Sequence, residues 1–467
     1  MPEREERRSP DTMPRGRLRR AAPLMGLAGR TAGEAVIARL RKNGDDAAAE
    51  RHANAAERYA ELLGRSKGVL MKAGQILSFV TMGTVVSAEY QTIYQSALAR
   101  LQDSAPPMSA SEAAAVVAGE LGSPPDKAFA EFQPEPLAAA SIGQVHAARL
   151  HDGREVAVKI QYPGVDEAIR ADLANTELLA TFLALARSVA PGFNRLDERA
   201  LSREVAARIG EEIDYRVEAR NQADFADGYR GHPFIRVPDV VPELSTRRVF
   251  TSELVRGRRW PDAVEADESL RDQWGEAIYR FAIGSLRRLR LFNADPHPGN
   301  YLFHDDGTVT FLDFGCVKRF TPDHVAAMQG MVWAAVNDDA AALFPLLRRA
   351  GFTDAADAPG ADDLLPWFRE QYKPLTAPQP FTYTSDYAAE VVQRVYSPFG
   401  PFSEVNRRVT LNPDYLMLTR IDLGLTAVLG TLRATGPWAA ICAEWDHAGP
   451  PATPMGELEA AFWKGQS

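Results

Sequence analysis

Three residues in the middle of the chain have the types and spacing that metal-assisted phosphoryl transfer requires. In the stretch LFNADPHPGNYLFHDDGTVTFLDFG, residues 291–315, Asp295 precedes Asn300 by five positions. Asp313 opens an Asp-Phe-Gly tripeptide thirteen positions beyond Asn300. Transfer with Mg²⁺ needs carboxylate and amide oxygens that converge from two adjacent loops. The two short apolar runs between Asn300 and Asp313 predict a hairpin-like pair that brings these two together as metal ligands. Asp295 is then left facing the attacking group as the catalytic carboxylate.

The same chemistry needs a cation on the phosphates. Lys159 closes the apolar strand Val156-Ala157-Val158-Lys159, where a desolvated ammonium can hold them. A lysine so placed needs a carboxylate partner. The helical stretch 198–220 offers Glu212 as first choice, with Glu211 and Glu204 behind it. A lysine, a helix glutamate, an Asp with Asn five later, and Asp-Phe-Gly form the protein-kinase set in the right order. Each piece alone is a weak signal, and the joint spacing is a strong one. A kinase carries G-x-G-x-x-G-x-V above the phosphates. Here the frame is Ala138-x-Ala140-x-x-Gly143-x-Val145, with Ala139 inside it. Alanine resists positive φ and sets a methyl where backbone should approach phosphate. The segment should be stiffer, with Ser141 and Gln144 supplying side-chain hydrogen bonds instead. Glu253 and Val255, in TSELVRG, fall where a hinge would meet adenine. The expected cofactors are ATP and Mg²⁺.

These residues have to be positioned by two lobes. SASEAAAVVAGELG (109–122) reads as a short helix with a Ser cap, closing at Gly122. Strands follow over about 131–163, with a His-Asp-Gly turn at 151–153. A helical stretch from about 165 to 228 leads to a strand within 247–257, and helices dominate from 268 onward. The fold class is α+β: a two-lobed protein-kinase-like fold with a helical N-terminal extension packed over the active-site cleft. The divisions are a basic head at 1–42, the extension at 43–128, an N-lobe at 129–256, a C-lobe at 257–440 and a tail at 441–467. Thr321-Pro322-Asp323 starts a helix soon after Asp-Phe-Gly, and no A-P-E motif follows. That leaves little room for a substrate-docking activation loop. Trp333, Phe344 and Trp367, spaced among aliphatics, read as core rather than as a lipid pocket. His297 reads equally well as a turn residue or as a group orienting Asp295.

Composition is that of a globular protein, 45% apolar and 25% charged. The net charge of −9 is uneven: residues 1–42 carry eleven Lys or Arg against five Asp or Glu, leaving −15 for the rest. A basic head on an acidic body suits an anionic membrane surface. The acidic body speaks against a nucleic-acid partner. Two cysteines, Cys316 and Cys442, make neither a disulfide framework nor a metal cluster. No run of about 18 uncharged apolar residues occurs. The segment 414–433 comes nearest, interrupted by Arg420 and Asp422. No secretory signal is read at the N-terminus. The expected location is cytoplasmic, peripheral at the inner face of the membrane.

Further motifs carry a resemblance. KAGQ (72–75), LQDSAPP (101–107), AAAS (138–141), EID (212–214) and ADPHPGN (294–300) together resemble the ABC1/ADCK/UbiB atypical-kinase family, the COQ8-like proteins. The match runs over roughly 60–440. Lys72 and Gln75 share a helix face. The resemblance implies that the K-x-G-Q helices cover the protein-substrate pocket, and it marks Lys72, Gln75 and Asp214 as regulatory. It also implies ATPase activity at a membrane surface in support of isoprenoid-quinone biosynthesis, with an isoprenoid-lipid or quinone precursor and a homodimer as partners. Two rival readings stand beside it. A small-molecule kinase of the aminoglycoside or choline type uses a similar metal site but does not need the 60–107 extension. A nucleotide-gated lipid-binding scaffold would bind without turnover.

Overall fold

A computed structural model describes residues 108–140, 142–173, 210–354, 357–397, 400–410 and 413–466. The basic head, Lys72, Gln75, the LQDSAPP segment and Ser141 lie outside the described residues.

The smaller lobe is a four-stranded antiparallel sheet in the order β1 (Glu131–Ala140), β2 (Gly143–Arg149), β3 (Glu155–Gln161) and β4 (Val249–Glu253). Strand alternation divides β3 by face. Val156, Val158 and Ile160 are buried against Ala113, Val116 and Val117 of helix α1 (Ala110–Leu121). Each such side chain contributes about 1.5–3 kcal/mol by leaving water. Ala157 and Lys159, on the opposite face, stay partly accessible. Helix α1 begins as its sequence predicts: Ser109 and Glu112 form a capping box, and Gly122 ends it in the left-handed conformation.

Helix α2 (Tyr215–Gly228) lies between the small sheet and the larger lobe. The helical stretch expected through 228 is broken at Ile213 and Asp214. Asp214 is the N-cap of α2 and accepts the Arg216 N–H at 3.1 Å. The larger lobe is built on helix α3 (Glu268–Tyr279) and on small sheets, two of which frame the site. One pairs β5 (Leu291–Asn293) with β8 (Val317–Arg319). The other pairs β6 (Tyr301–Phe303) with β7 (Val309–Phe311), the expected hairpin-like pair, and adds Ile235–Arg236 in parallel beside β7. Helix α4 (Pro322–Val336) starts from a Thr321 cap. Around these pack α5 (Ala361–Gln371), α6 (Pro413–Leu432) and α7 (Trp438–Asp446). Trp333 and Phe344 pack on the core, and Trp367 is buried within it. Cys316 and Cys442 are both buried free thiols.

Candidate active site

Lys159 sits in a row across the small sheet. Its Cα neighbours are Val145 on β2 and Phe250 on β4, and Val145 in turn faces Ala138 on β1. Directly paired residues share a face, so Ala138, Val145 and Lys159 lie on the same side of the sheet. Ala139 and Ala140 complete β1, paired with Gln144 and Gly143. The alanines are therefore residues of β1, paired with β2.

Two readings of this hairpin change. Gly143 is demanded by packing: a Cβ there would come within 2.2 Å of the Ile160 carbonyl oxygen and 2.9 Å of the Tyr215 hydroxyl. Gln144, expected to replace lost phosphate contacts, points to the other face. It is buried, with its Oε1 accepting the Met108 N–H at 2.9 Å and its Nε2 donating to the Met108 carbonyl at 3.3 Å. The reason is register: Gln144 pairs with Ile160, which faces the core beneath α1.

The choice of Glu212 as the partner of Lys159 is corrected. Glu218 receives the Lys159 ammonium on both carboxylate oxygens, at 2.8 and 2.9 Å. Asp313 Oδ2 lies 3.5 Å from the same nitrogen. Because α2 restarts at the Asp214 cap, Glu218 falls one turn inside it, on the face toward the sheet; Glu212 belongs to the preceding turn. Asp214, marked as regulatory by resemblance, also pairs with the Arg216 guanidinium at 2.6 Å, so its local work is to start the helix that carries Glu218. Burial by itself would depress the Lys159 pKa. The charges of Asp313 and Glu218 overcome it and hold the ammonium well above the ordinary lysine value. The Tyr215 ring lies beneath, its centroid 5.1 Å from Nζ. Burial pushes the Tyr215 phenol up, so it stays neutral beside the pair.

The two loops of the larger lobe are tied to each other, and Asp313 carries them to Lys159. Asn300 and Asp313 bracket the β6–β7 pair, and the Leu312 N–H donates to the Asn300 carbonyl at 2.8 Å. Asn300 Nδ2 donates to Asp295 Oδ2 at 3.2 Å and to the Asp295 carbonyl at 3.3 Å. Asp313 has φ of +60°, a conformation that costs a non-glycine residue roughly 1–3 kcal/mol. The Gly315 N–H, donated to Asp313 Oδ1 at 3.0 Å, helps to hold it. Phe314 is fully buried against Phe225 of α2, with ring centroids 4.9 Å apart. Asn221, also on α2, donates to the Phe314 carbonyl at 3.0 Å.

Sequence reasoning missed Asn293. Its Nδ2 donates to the Asp313 carbonyl at 3.1 Å, and its Oδ1 accepts the Asp295 N–H at 3.2 Å. One side chain thus ties the two loops together; the only hint was an amide two positions before Asp295. His297 is exposed and accepts the Gly299 N–H on Nδ1 at 3.1 Å, the turn role of the two weighed. At the hinge, the Glu253 side chain pairs with Arg236 and its N–H donates to the Asp239 carbonyl at 2.8 Å. Val255, half-buried, makes no backbone hydrogen bond to the described residues.

A lysine–glutamate pair under a small sheet, facing an Asp/Asn/Asp set in a helical lobe, defines a two-lobed, kinase-like cleft. The sequence model of the ABC1 atypical kinase-like domain matches residues 100–346, more than half of the chain, and the chain belongs to that family. It is 34% identical over 286 residues to the atypical kinase COQ8B, mitochondrial, of Rattus norvegicus, covering 61% of this chain and 52% of that protein. To the atypical kinase COQ8, mitochondrial, of Saccharomyces cerevisiae it is 30% identical over 308 residues, 66% of this chain and 59% of that protein. The matches span between 32% and 59% of the length of the curated relatives. Among solved structures, the complex of Rv3197 with erythromycin from Mycobacterium tuberculosis superposes with a TM-score of 0.61 at 31% identity. That match covers 87% of this chain and all of the other.

Proposed function

We propose that this protein is an atypical kinase or ATPase that binds Mg–ATP between its lobes and supports isoprenoid-quinone biosynthesis at a membrane surface. One observation carries the reading: the Lys159 ammonium is held at once by Glu218 of α2 and Asp313 of the Asp-Phe-Gly turn. The residues present fit the cofactor. Mg²⁺ is usually held by one or two carboxylates together with phosphate oxygens. The Asp313 side chain is 37% exposed, and Asn300 keeps an amide oxygen while its Nδ2 is committed to Asp295. Asp313 and Asn300 would hold the ion, and the bound nucleotide would supply the transferable phosphoryl group.

The chain's own residues then divide the work. Lys159 neutralises phosphate charge, and Glu218 keeps its ammonium in place. Asp295 orients the attacking oxygen, which is water in the ATPase reading. The Val255 backbone takes the adenine edge, and Ala138–Ala140 restrict how closely the hairpin closes over the phosphates. Lys72 and Gln75 keep protein substrates out, as the family resemblance implies. The +6 head supports docking to anionic lipid, and no helix among the described residues is long and apolar enough to cross a membrane. A lipid or quinone precursor and a second copy of the chain are the proposed partners.

Phosphate release by wild type and Asp313→Asn, with and without anionic liposomes and quinone precursors, tests the reading. Release that falls at least about tenfold in the variant is expected; equal release from both proteins would overturn it.

A further inference from the structure

Within the helical lobe lies a cavity of about 130 Å³. An apolar cavity of about 150 Å³ admits one benzene ring. Its walls include Phe292, Val332, Trp367, Tyr372 and Tyr383, and one carboxylate, that of Asp422. In the sequence, Asp422 is the charge that interrupts an otherwise apolar segment. In the fold it sits on α6 near the phenols of Tyr372, Tyr383 and Tyr387, each of which its charge makes harder to ionise.

No described residue gives Asp422 a hydrogen bond or an ion pair, and burial pushes its pKa up to about 7. Arg287 lines the same cavity but is committed elsewhere: its Nε donates to Oδ1 of the buried Asp446 at 2.9 Å. Among the described residues, the cavity therefore holds one carboxylate without an ion-pair partner, beside aromatic faces. A carboxylate drawn away from bulk water is costly without a counter-charge, and aromatic faces attract cations. Both features call for the same ligand.

We propose that this cavity is a binding site for a small lipophilic amine, with the ammonium on the Asp422 carboxylate and the apolar body between the ring walls. The site adjoins the cleft. Phe292 lies three positions before Asp295. Two positions after Asp422, α6 packs on the same loop so closely that a Cβ on Gly424 would lie 2.5 Å from Cγ of Pro296.

The test titrates the full-length protein with benzylamine and with its neutral counterpart benzyl alcohol at about pH 8, where Asp422 is mostly ionised, by calorimetry. Saturable binding of benzylamine is expected, at least about tenfold tighter than the alcohol. Asp422→Asn, nearly isosteric, should erase that preference. Val332→Phe, which fills the cavity, should abolish binding of both probes. No saturable benzylamine binding by wild type would overturn the proposal. So would equal binding of amine and alcohol, or a preference that survives in Asp422→Asn.

Discussion

Glu218 holds the Lys159 ammonium with both carboxylate oxygens, at 2.8 and 2.9 Å, from a helix whose first turn is set by Asp214. Removing one partner of a buried pair leaves the other charge exposed to a low dielectric, at a cost of about 3–5 kcal/mol. Glu218→Gln is therefore expected to lower the melting temperature and to weaken nucleotide binding at least tenfold, by about 1.4 kcal/mol or more. Glu212→Gln should leave nucleotide binding unchanged. Melting curves and titration with a fluorescent ATP analogue separate the two. Equal effects of both substitutions would return Glu212 to the site.

The hairpin gives an opposed pair of substitutions. Gly143→Ala drives a methyl into the Ile160 carbonyl, so β2 or β3 must shift. Overpacking of this kind costs about 1–3 kcal/mol, and the variant should melt lower. Ala140→Gly, on the β1 side of the same pair, removes a methyl and frees the backbone. It is expected to change nucleotide affinity or to permit autophosphorylation, with a much smaller loss of stability. Were Ala140→Gly to leave both affinity and autophosphorylation unchanged, the alanines would be packing residues only.

The catalytic-loop half of the site was legible because its information is local. Asp295, Asn300 and Asp313 lie within one short stretch, and the apolar runs between them reveal the β6–β7 pair. The Lys159 partner was not, because choosing along 198–220 assumes one unbroken helix. The break at Ile213 and Asp214 resets the helical register, so that Glu218 faces the sheet. The cue was an Asp before an apolar-periodic run, which is a start signal. Gly143 and Gln144 show the other limit. Their roles follow from which residue lies across the ladder, and pairing register is not written in either strand alone. The fold class was readable from the order of strands and helices, whereas the cavity beside Asp422 depends on how distant helices meet.

Asn293 offers a test of how the two loops are held. Asn293→Ala removes both the bond to the Asp313 carbonyl and that from the Asp295 N–H. Loss of such a supporting bond typically costs about tenfold to a hundredfold in activity. The expected result is a fall in kcat of about tenfold or more with KM for ATP changed little, since Asn293 touches neither Lys159 nor the hinge. A rise in KM with kcat intact would mean that Asn293 serves binding instead of loop alignment.

Asp422 is expected to make stability depend on pH. Burial raises its pKa to about 7 from the usual carboxylate value near 4. The folded state then holds this proton more tightly than the unfolded chain does. Stability is greatest below about pH 4, falls as the pH rises through about 7, and levels off above that. A shift of about three units corresponds to at most about 4 kcal/mol. The groups near Asp422, the phenols of Tyr372, Tyr383 and Tyr387, stay neutral through this window, because burial raises each of them above the ordinary tyrosine value. The Arg287 guanidinium, on the same cavity wall, is paired with Asp446. Asp422→Asn keeps the size and removes the titration. Denaturant melts of both proteins at about pH 5 and about pH 8 isolate the effect, because contributions shared by both cancel. The variant should gain on wild type as the pH rises. A stability difference that is the same at both pH values would show that Asp422 is not a carboxylate held out of water.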